Sequence, residues 1–284
     1  MLTLKSSVTI ADDHIARKRF GQNFLHDPRV IAAIIQAIDP KPGDRIIEIG
    51  PGQAALTAPL IAKAGHVHAI EIDRDLAARL RKRFTASELA ITEQDVLRTS
   101  FSALAHQLGG PLRVVGNLPY NISSPILFHL LESAEQITDQ HLMLQKEVVD
   151  RLVAAHGSKI YGRLSVMLQA RYQMERCLTV PPGAFVPAPK VDSAVVRMVP
   201  LQSAAVKVRD WPIFAAVVAL AFSQRRKMLR KSLAAYAAML DWDALDIAPT
   251  QRAEELSVDH FVGLANAVAS LPLERRQGVE PRFS

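Results

Sequence analysis

The chain has 284 residues, 49% hydrophobic and 22% charged, which excludes an apolar-poor, charge-rich disordered chain and supplies material for one large or two modest domains. A single cysteine, Cys177, excludes an internal disulfide, and no Cys/His spacing of a structural zinc site or apolar run of membrane-spanning length is present. With 34 basic against 28 acidic side chains the formal charge is +6 and the sequence pI about 9.6, which fits either a polyanionic partner or an ordinary solubility margin.

The N-terminal stretch MLTLKSSVTIADDH has no apolar core after a basic start, so it reads as no secretory signal, and with the lone cysteine it predicts a cytoplasmic protein without a membrane anchor. A helix is expected over 27–38, with Asp27 as N-cap, Pro28 at the first position, and an end before Pro40. The β-branched runs 45–50, 66–73 and 111–117 predict buried strands, and 89–92 a shorter one. Between them, 53–65 and 75–84 carry helical spacing, with Gly65 as a stop signal. Strands alternating with helices imply a parallel α/β sheet. The character changes near 198–206. Beyond it, 211–240 and 258–271 are Ala-rich and helical in period, so the expected division is an extension (1–16), an α/β domain (17–204), a smaller all-α domain (205–270) and a tail (271–284).

Charge follows this division. Residues 1–149 hold 16 basic and 16 acidic side chains, and residues 150–284 hold 18 and 12. The excess is densest at Arg225, Arg226, Lys227, Arg230 and Lys231, expected on one helix, where it suits phosphate contacts or a solvated face.

The first predicted strand runs into Gly50-Pro51-Gly52-Gln53-Ala54-Ala55, a G-x-G-x-x-A loop opening a helix, where glycines let the backbone approach a ligand. The pattern also describes nicotinamide-binding folds. Two acids separate the readings. Glu48, two residues before Gly50, disfavours a pyrophosphate and suits a cationic ligand. Glu71 ends the second strand, where a carboxylate accepts from both hydroxyls of a ribose. S-adenosylmethionine, with a ribose, an adenine and a sulfonium but no phosphate, meets both conditions, and Asp95 after the short strand is placed to receive the adenine amino group. His66 and His68 alternate on one strand without a third ligand, so no metal is expected.

Asn117-Leu118-Pro119-Tyr120 follows the 111–117 strand, where an open α/β sheet places its ligands. An adenine N6 is a poor nucleophile because its lone pair is delocalised into the ring. Two acceptors for its hydrogens, the Asn117 side-chain oxygen and the Leu118 carbonyl, let the nitrogen become tetrahedral. Pro119 stiffens the turn, and Tyr120 offers a face to a base flipped from its stack.

These motifs, with RKRFGQNFLHD (17–27), IIEIGPGQAALT (46–57), GNLPYNISSPIL (116–127), PPGAFVPAPKVDSAVV (181–196) and FSQRRKMLRKSL (222–233), resemble the ribosomal RNA adenine dimethyltransferases, in particular those of the bacterial small subunit. The likeness covers about residues 17–265. It implies a Rossmann-like methyltransferase domain and N6,N6-dimethylation of two adjacent adenosines in a hairpin loop near the 3′ end of 16S rRNA within the immature small ribosomal subunit. The cofactor would be S-adenosyl-L-methionine, leaving S-adenosylhomocysteine, with no metal and a monomeric enzyme. The resemblance places Gln22, Asn23 and Leu25 over the cofactor, Gly50 and Gly52 at its methionine end, Glu71 and Ile72 at the ribose, and Asp95 and Val96 at the adenine. Asn117 would bridge cofactor and base, and Phe185 would stack on the base opposite Tyr120. The sequence leaves three alternatives open: a large-subunit rRNA methyltransferase, a nicotinamide oxidoreductase, and an assembly factor that acts by binding.

Overall fold

The structure, a computed structural model, describes residues 22–202, 207–272 and 275–276. After a two-residue strand, β1 (Phe24–Leu25), helix α1 (Pro28–Ile38) begins as expected, because the Asp27 carboxylate accepts from the Arg29 and Val30 amides, and Asp39 ends it with a φ of 48°. There follow β2 (Ile46–Ile49), α2 (Thr57–Ala64), β3 (Val67–Glu71), α3 (Arg74–Arg83), β4 (Leu89–Glu93), α4 (Phe101–Gln107), β5 (Leu112–Asn117), α5 (Ser123–Glu132) and β6 (Ile137–Gln145). Next come α6 (Lys146–Leu152), α7 (Arg163–Gln169), β7 (Tyr172–Val180), the two-residue β8 (Phe185–Val186) and β9 (Ser193–Pro200). The helical part contains α8 (Trp211–Phe222), α9 (Leu229–Ser232) and α10 (Val258–Ala269).

Seven strands form one sheet in the order β4-β3-β2-β5-β6-β9-β7, and the switch point lies between β2 and β5. The pairs joining β4 through β6 are parallel, while β9 runs antiparallel to both β6 and β7. β2 and β3 are buried along their whole length, as continuous apolar runs between two helical layers must be. One core, with Ile47, Phe101, Val114 and Leu142, lies on one side of the sheet, and another, with Ile34, Ile38, Leu60 and Val115, on the other. A third joins α8 and α10 to Tyr161, Val166 and Met167, so the helical part shares its core with the segment around α7.

Two expected elements differ. The 53–65 helix begins only at Thr57, because Gly52 (φ 55°) and Ala54 (φ 68°) hold the preceding loop in left-handed conformations. The 211–240 helix stops at Phe222, and Arg225, Arg226 and Lys227 lie in turns, with only Arg230 and Lys231 on the short α9. Tertiary pairing diverts the chain there: Met228 bridges Arg252, the Leu229 amide donates to the Gln251 carbonyl and the Arg230 amide to that of Pro249. Clustered like charges would also weaken a continuous helix.

Candidate active site

A cavity of about 290 Å³ opens at the carboxyl ends of β2, β3 and β5, on both sides of the switch point. Its wall contains Gln22, Asn23, Leu25, Gly50, Gly52, Glu71, Ile72, Asp95, Val96, Asn117, Leu118, Pro119 and Tyr120, which unites every expected cofactor residue with the Asn-Leu-Pro-Tyr turn. Such a crevice is where the topology of an open sheet leaves room for a ligand.

The glycine loop leaves β2 through Gly50 (φ 65°) and Gly52 (φ 55°). A Cβ at Gly52 would stand 3.2 Å from the Phe24 ring, so the missing side chain lets the loop lie against β1. Arg83 of α3 braces the same loop from outside, donating to the Gln53 carbonyl at 3.1 Å. Glu71 is 4% exposed and accepts from the Gly52 amide at 3.3 Å and the Asp73 amide at 2.9 Å. Burial raises its pKa, and those amides partly offset the effect. Asp73, buried beside it, accepts from Gln22 Nε2 at 3.3 Å, so the segment before β1 is tied to the end of β3. Asp95 accepts from the Leu97 amide at 3.0 Å. Ile72, 48% exposed, offers a flat apolar surface at the lip.

The Asn-Leu-Pro-Tyr turn is fixed from three sides. Asn117 Nδ2 donates to the Asn23 carbonyl at 2.9 Å, which sets the amide orientation and leaves Oδ1 as the acceptor on the other branch. The Leu118 amide donates to the Met143 carbonyl at 3.0 Å, and the Leu118 side chain is buried. The Tyr120 hydroxyl lies 2.6 Å from Ser193 Oγ, and burial raises its pKa. Gly116 is needed immediately before the turn, since a Cβ there would stand 2.7 Å from the Ile49 carbonyl oxygen of β2.

Glu48 lies beneath the loop at 2% exposure, with Oε2 lacking a hydrogen-bond partner. Burial pushes its pKa up to about 7, with a smaller contribution from Glu71, while the Thr57 hydroxyl acts in the opposite direction without a hydrogen bond of good geometry. Together Glu48, Glu71 and Asp95 give the wall three acids, and among the described residues it contains no Lys, Arg or His. A buried carboxylate with one orphaned oxygen and a wall whose charged residues are acids fit a cationic ligand without phosphate.

Phe185 is placed differently from its expected position against a base. It is 2% exposed, belongs to the core beneath β1, and does not line the cavity. Its pairing with Leu25 in the β1–β8 ribbon instead supports the segment whose Asn23 carbonyl orients Asn117. Phe24 also belongs to the site, beyond the residues the sequence singles out; its only sequence signal is an aromatic beside Asn23, since its contact with Gly52 depends on chain folding. All five expected phosphate contacts are exposed, although Arg225 also donates to the Lys159 carbonyl at 2.7 Å and lies 3.6 Å from Glu254. His66 and His68 pair with the Ser87 carbonyl and the Thr92 hydroxyl.

The sequence matches the family described as "Ribosomal RNA adenine dimethylase" over residues 13–270. It is 57% identical over 255 residues to the "Ribosomal RNA small subunit methyltransferase A" of Bordetella petrii, covering 90% of this chain and 96% of that protein. Identity to the protein of the same name from Ralstonia nicotianae is 53% over 279 residues, 98% of each. Among solved structures, a dimethyladenosine transferase from Plasmodium falciparum superposes with a TM-score of 0.72 at 25% identity, covering 84% of this chain and 95% of that one. The 23S rRNA methyltransferase ErmE superposes with a TM-score of 0.66 at 26% identity, over 86% and 99%.

Proposed function

The chain belongs to the ribosomal RNA adenine dimethylase family, and from that premise we propose that it dimethylates N6 of two adjacent adenosines in a hairpin loop near the 3′ end of 16S rRNA, using S-adenosylmethionine. The observation that carries this reading is the Asn117–Tyr120 turn set into the wall of an acid-lined cavity beside a glycine loop. Relatives named for the small ribosomal subunit, at 57% and 53% identity, favour that subunit over the large one. The reading includes a monomeric enzyme acting in the cytoplasm on the immature subunit.

When bound, S-adenosylmethionine supplies an electrophilic methyl carbon on a sulfonium centre. Glu71 is the acceptor for the ribose hydroxyls, Asp95 and Val96 hold the adenine edge, and Gly50 and Gly52 let the backbone approach the methionine end. Asn117 Oδ1 and the Leu118 carbonyl hold the two N6 hydrogens of the target adenosine, which frees the nitrogen lone pair from the ring. Tyr120 packs against the extruded base, with its hydroxyl anchored on Ser193. Rate enhancement on this account comes from positioning and from fixed acceptors rather than from an acid or base. In the described conformation Phe185 cannot touch the base, and stacking by it requires its ring to leave the core.

Mass spectrometry of the 3′ end of small-subunit rRNA, from cells with and without the protein, tests the proposal. Loss of both dimethyladenosines on deletion is the expected result. Modification of large-subunit rRNA instead would favour the activity of the ErmE-like neighbour.

A further inference from the structure

We propose that Glu48 holds a proton in the ligand-free cavity and surrenders it when a cationic nucleoside cofactor enters, so that the chain exchanges one positive charge for another beneath the glycine loop. The inference rests on the cofactor proposed above and adds a positioning role for a carboxylate that has no assigned contact.

Glu48 is the third residue of β2, paired with Ala69 of β3 on one side and Val115 of β5 on the other, so neither flanking strand offers it a charge. From α2 it faces only the hydroxyl of Thr57, which is itself buried and without a hydrogen-bond partner. From the end of β3 it faces Glu71, a second buried acid. Arg83, on α3, touches the loop from outside at the Gln53 carbonyl. A carboxylate buried among apolar groups and another acid, with no compensating cation among the described residues, takes up a proton rather than bear the desolvation of its charged form. This agrees with the value of about 7 to which burial and Glu71 push it.

S-adenosylmethionine has a sulfonium, an ammonium and a carboxylate, net +1, whereas S-adenosylhomocysteine is net neutral. Entry of the cation restores the ionised carboxylate. The O–H bond of the Glu48 carboxyl breaks, its electron pair stays on the carboxylate, and the proton passes to buffer. The neutral product drives less ionisation, so the same group favours the charged cofactor over its product.

Calorimetric titration of the full chain at pH 7, in two buffers of different ionisation heat, measures the exchange directly. About half a proton is expected to leave per S-adenosylmethionine bound, and less per S-adenosylhomocysteine. Affinity for the cation should rise about fivefold from pH 6 to pH 7, a window in which the ligand's own ammonium, with a pKa of about 7.7 or more, stays protonated. Glu48→Gln should bind with no proton release and no pH dependence. Binding of S-adenosylmethionine without proton release by the parent, or unchanged release by Glu48→Gln, overturns the inference. If the variant does not fold, infrared difference spectra of the parent decide: the C=O band of a protonated carboxyl should vanish on binding, and a band that persists refutes the exchange. Absence of binding at every pH would refute the cofactor reading as well, a result distinct from binding without proton release.

Discussion

Gly116→Ala tests whether close approach of β2 and β5 builds the Asn117–Tyr120 turn. The new Cβ would stand 2.7 Å from the Ile49 carbonyl oxygen and 3.2 Å from both Ile49 Cβ and Leu118 Cδ2. The first contact is with backbone, so no rotamer change relieves it. The strands must separate by roughly 0.3–0.7 Å at the end that carries Gly50 and Asn117, and overpacking of this kind costs about 1–3 kcal/mol. That predicts a thermal midpoint lowered by several degrees. Activity should suffer more, because Asn117 Oδ1 is positioned by the same strand end and a displacement of about 1 Å can cost on the order of 100-fold in rate. Thermal unfolding and transfer of tritiated methyl groups to immature small subunits measure the two effects. A variant that melts with the parent and methylates at the parent rate would refute the claim that strand separation sets the position of Asn117.

Asn117→Ala is expected to lower methyl transfer by at least about 100-fold, by analogy with loss of a preorganised polar contact, while filter binding of the RNA stays near the parent. Full activity would remove Asn117 from its assigned role. Glu48 also predicts a pH dependence of the ligand-free protein. Its folded pKa of about 7 lies above the ordinary carboxylate value, so the folded chain retains a proton that the unfolded chain has lost, and stability falls as pH rises through that interval, by on the order of 3 kcal/mol in all. His141, buried and lowered to about 4, works in the opposite sense below pH 6.5, so the difference between parent and Glu48→Gln unfolding free energies, from denaturant titrations at pH 5 to 8, isolates the Glu48 contribution. A pH-independent difference would contradict the assignment. Replacing Arg226 and Lys227 together by Ala should weaken RNA binding and reduce the slope of log affinity against log salt by about 1–2; an unchanged slope would place the RNA elsewhere.

The parts of the site visible in the sequence are those encoded by local geometry. A β-branched run followed by Gly50-Pro51-Gly52 requires a strand and a turn whatever else the chain does, and the Asn117–Tyr120 turn follows another such run. Glu71 and Asp95 were legible because strand ends in a parallel sheet converge on one edge. Long-range features were less visible. Gln22 reaches Asp73 across 51 residues and Asn23 holds Asn117 across 94, and the cover these contacts make decides that Phe24, not only its neighbours, touches the glycine loop. The basic segment carried helical periodicity, yet pairing with residues 249–252 overrode it. Phe185 shows the same limit: the family resemblance set its ring against the target base, whereas two-residue pairing with β1 draws it into the core of this conformation.

The uneven charge of the chain acquires a physical meaning at this level. A cavity lined by acids, with no described cation, disfavours a phosphate and favours a sulfonium. An RNA strand approaching it can therefore insert a base, which is neutral, but must keep its backbone outside. We propose the exposed cations at 225–231 as the place for that backbone; Arg225 fastens the patch to the loop at Lys159 that precedes α7. Removing acids from the cavity would thus act twice, weakening the hold on a cationic cofactor and lowering the barrier to a misplaced phosphate. For this reason the neutral sum of the first half matters less than the separation of its charges: Glu48, Glu71 and Asp95 converge on the cavity, while Arg83 braces the loop from the far side.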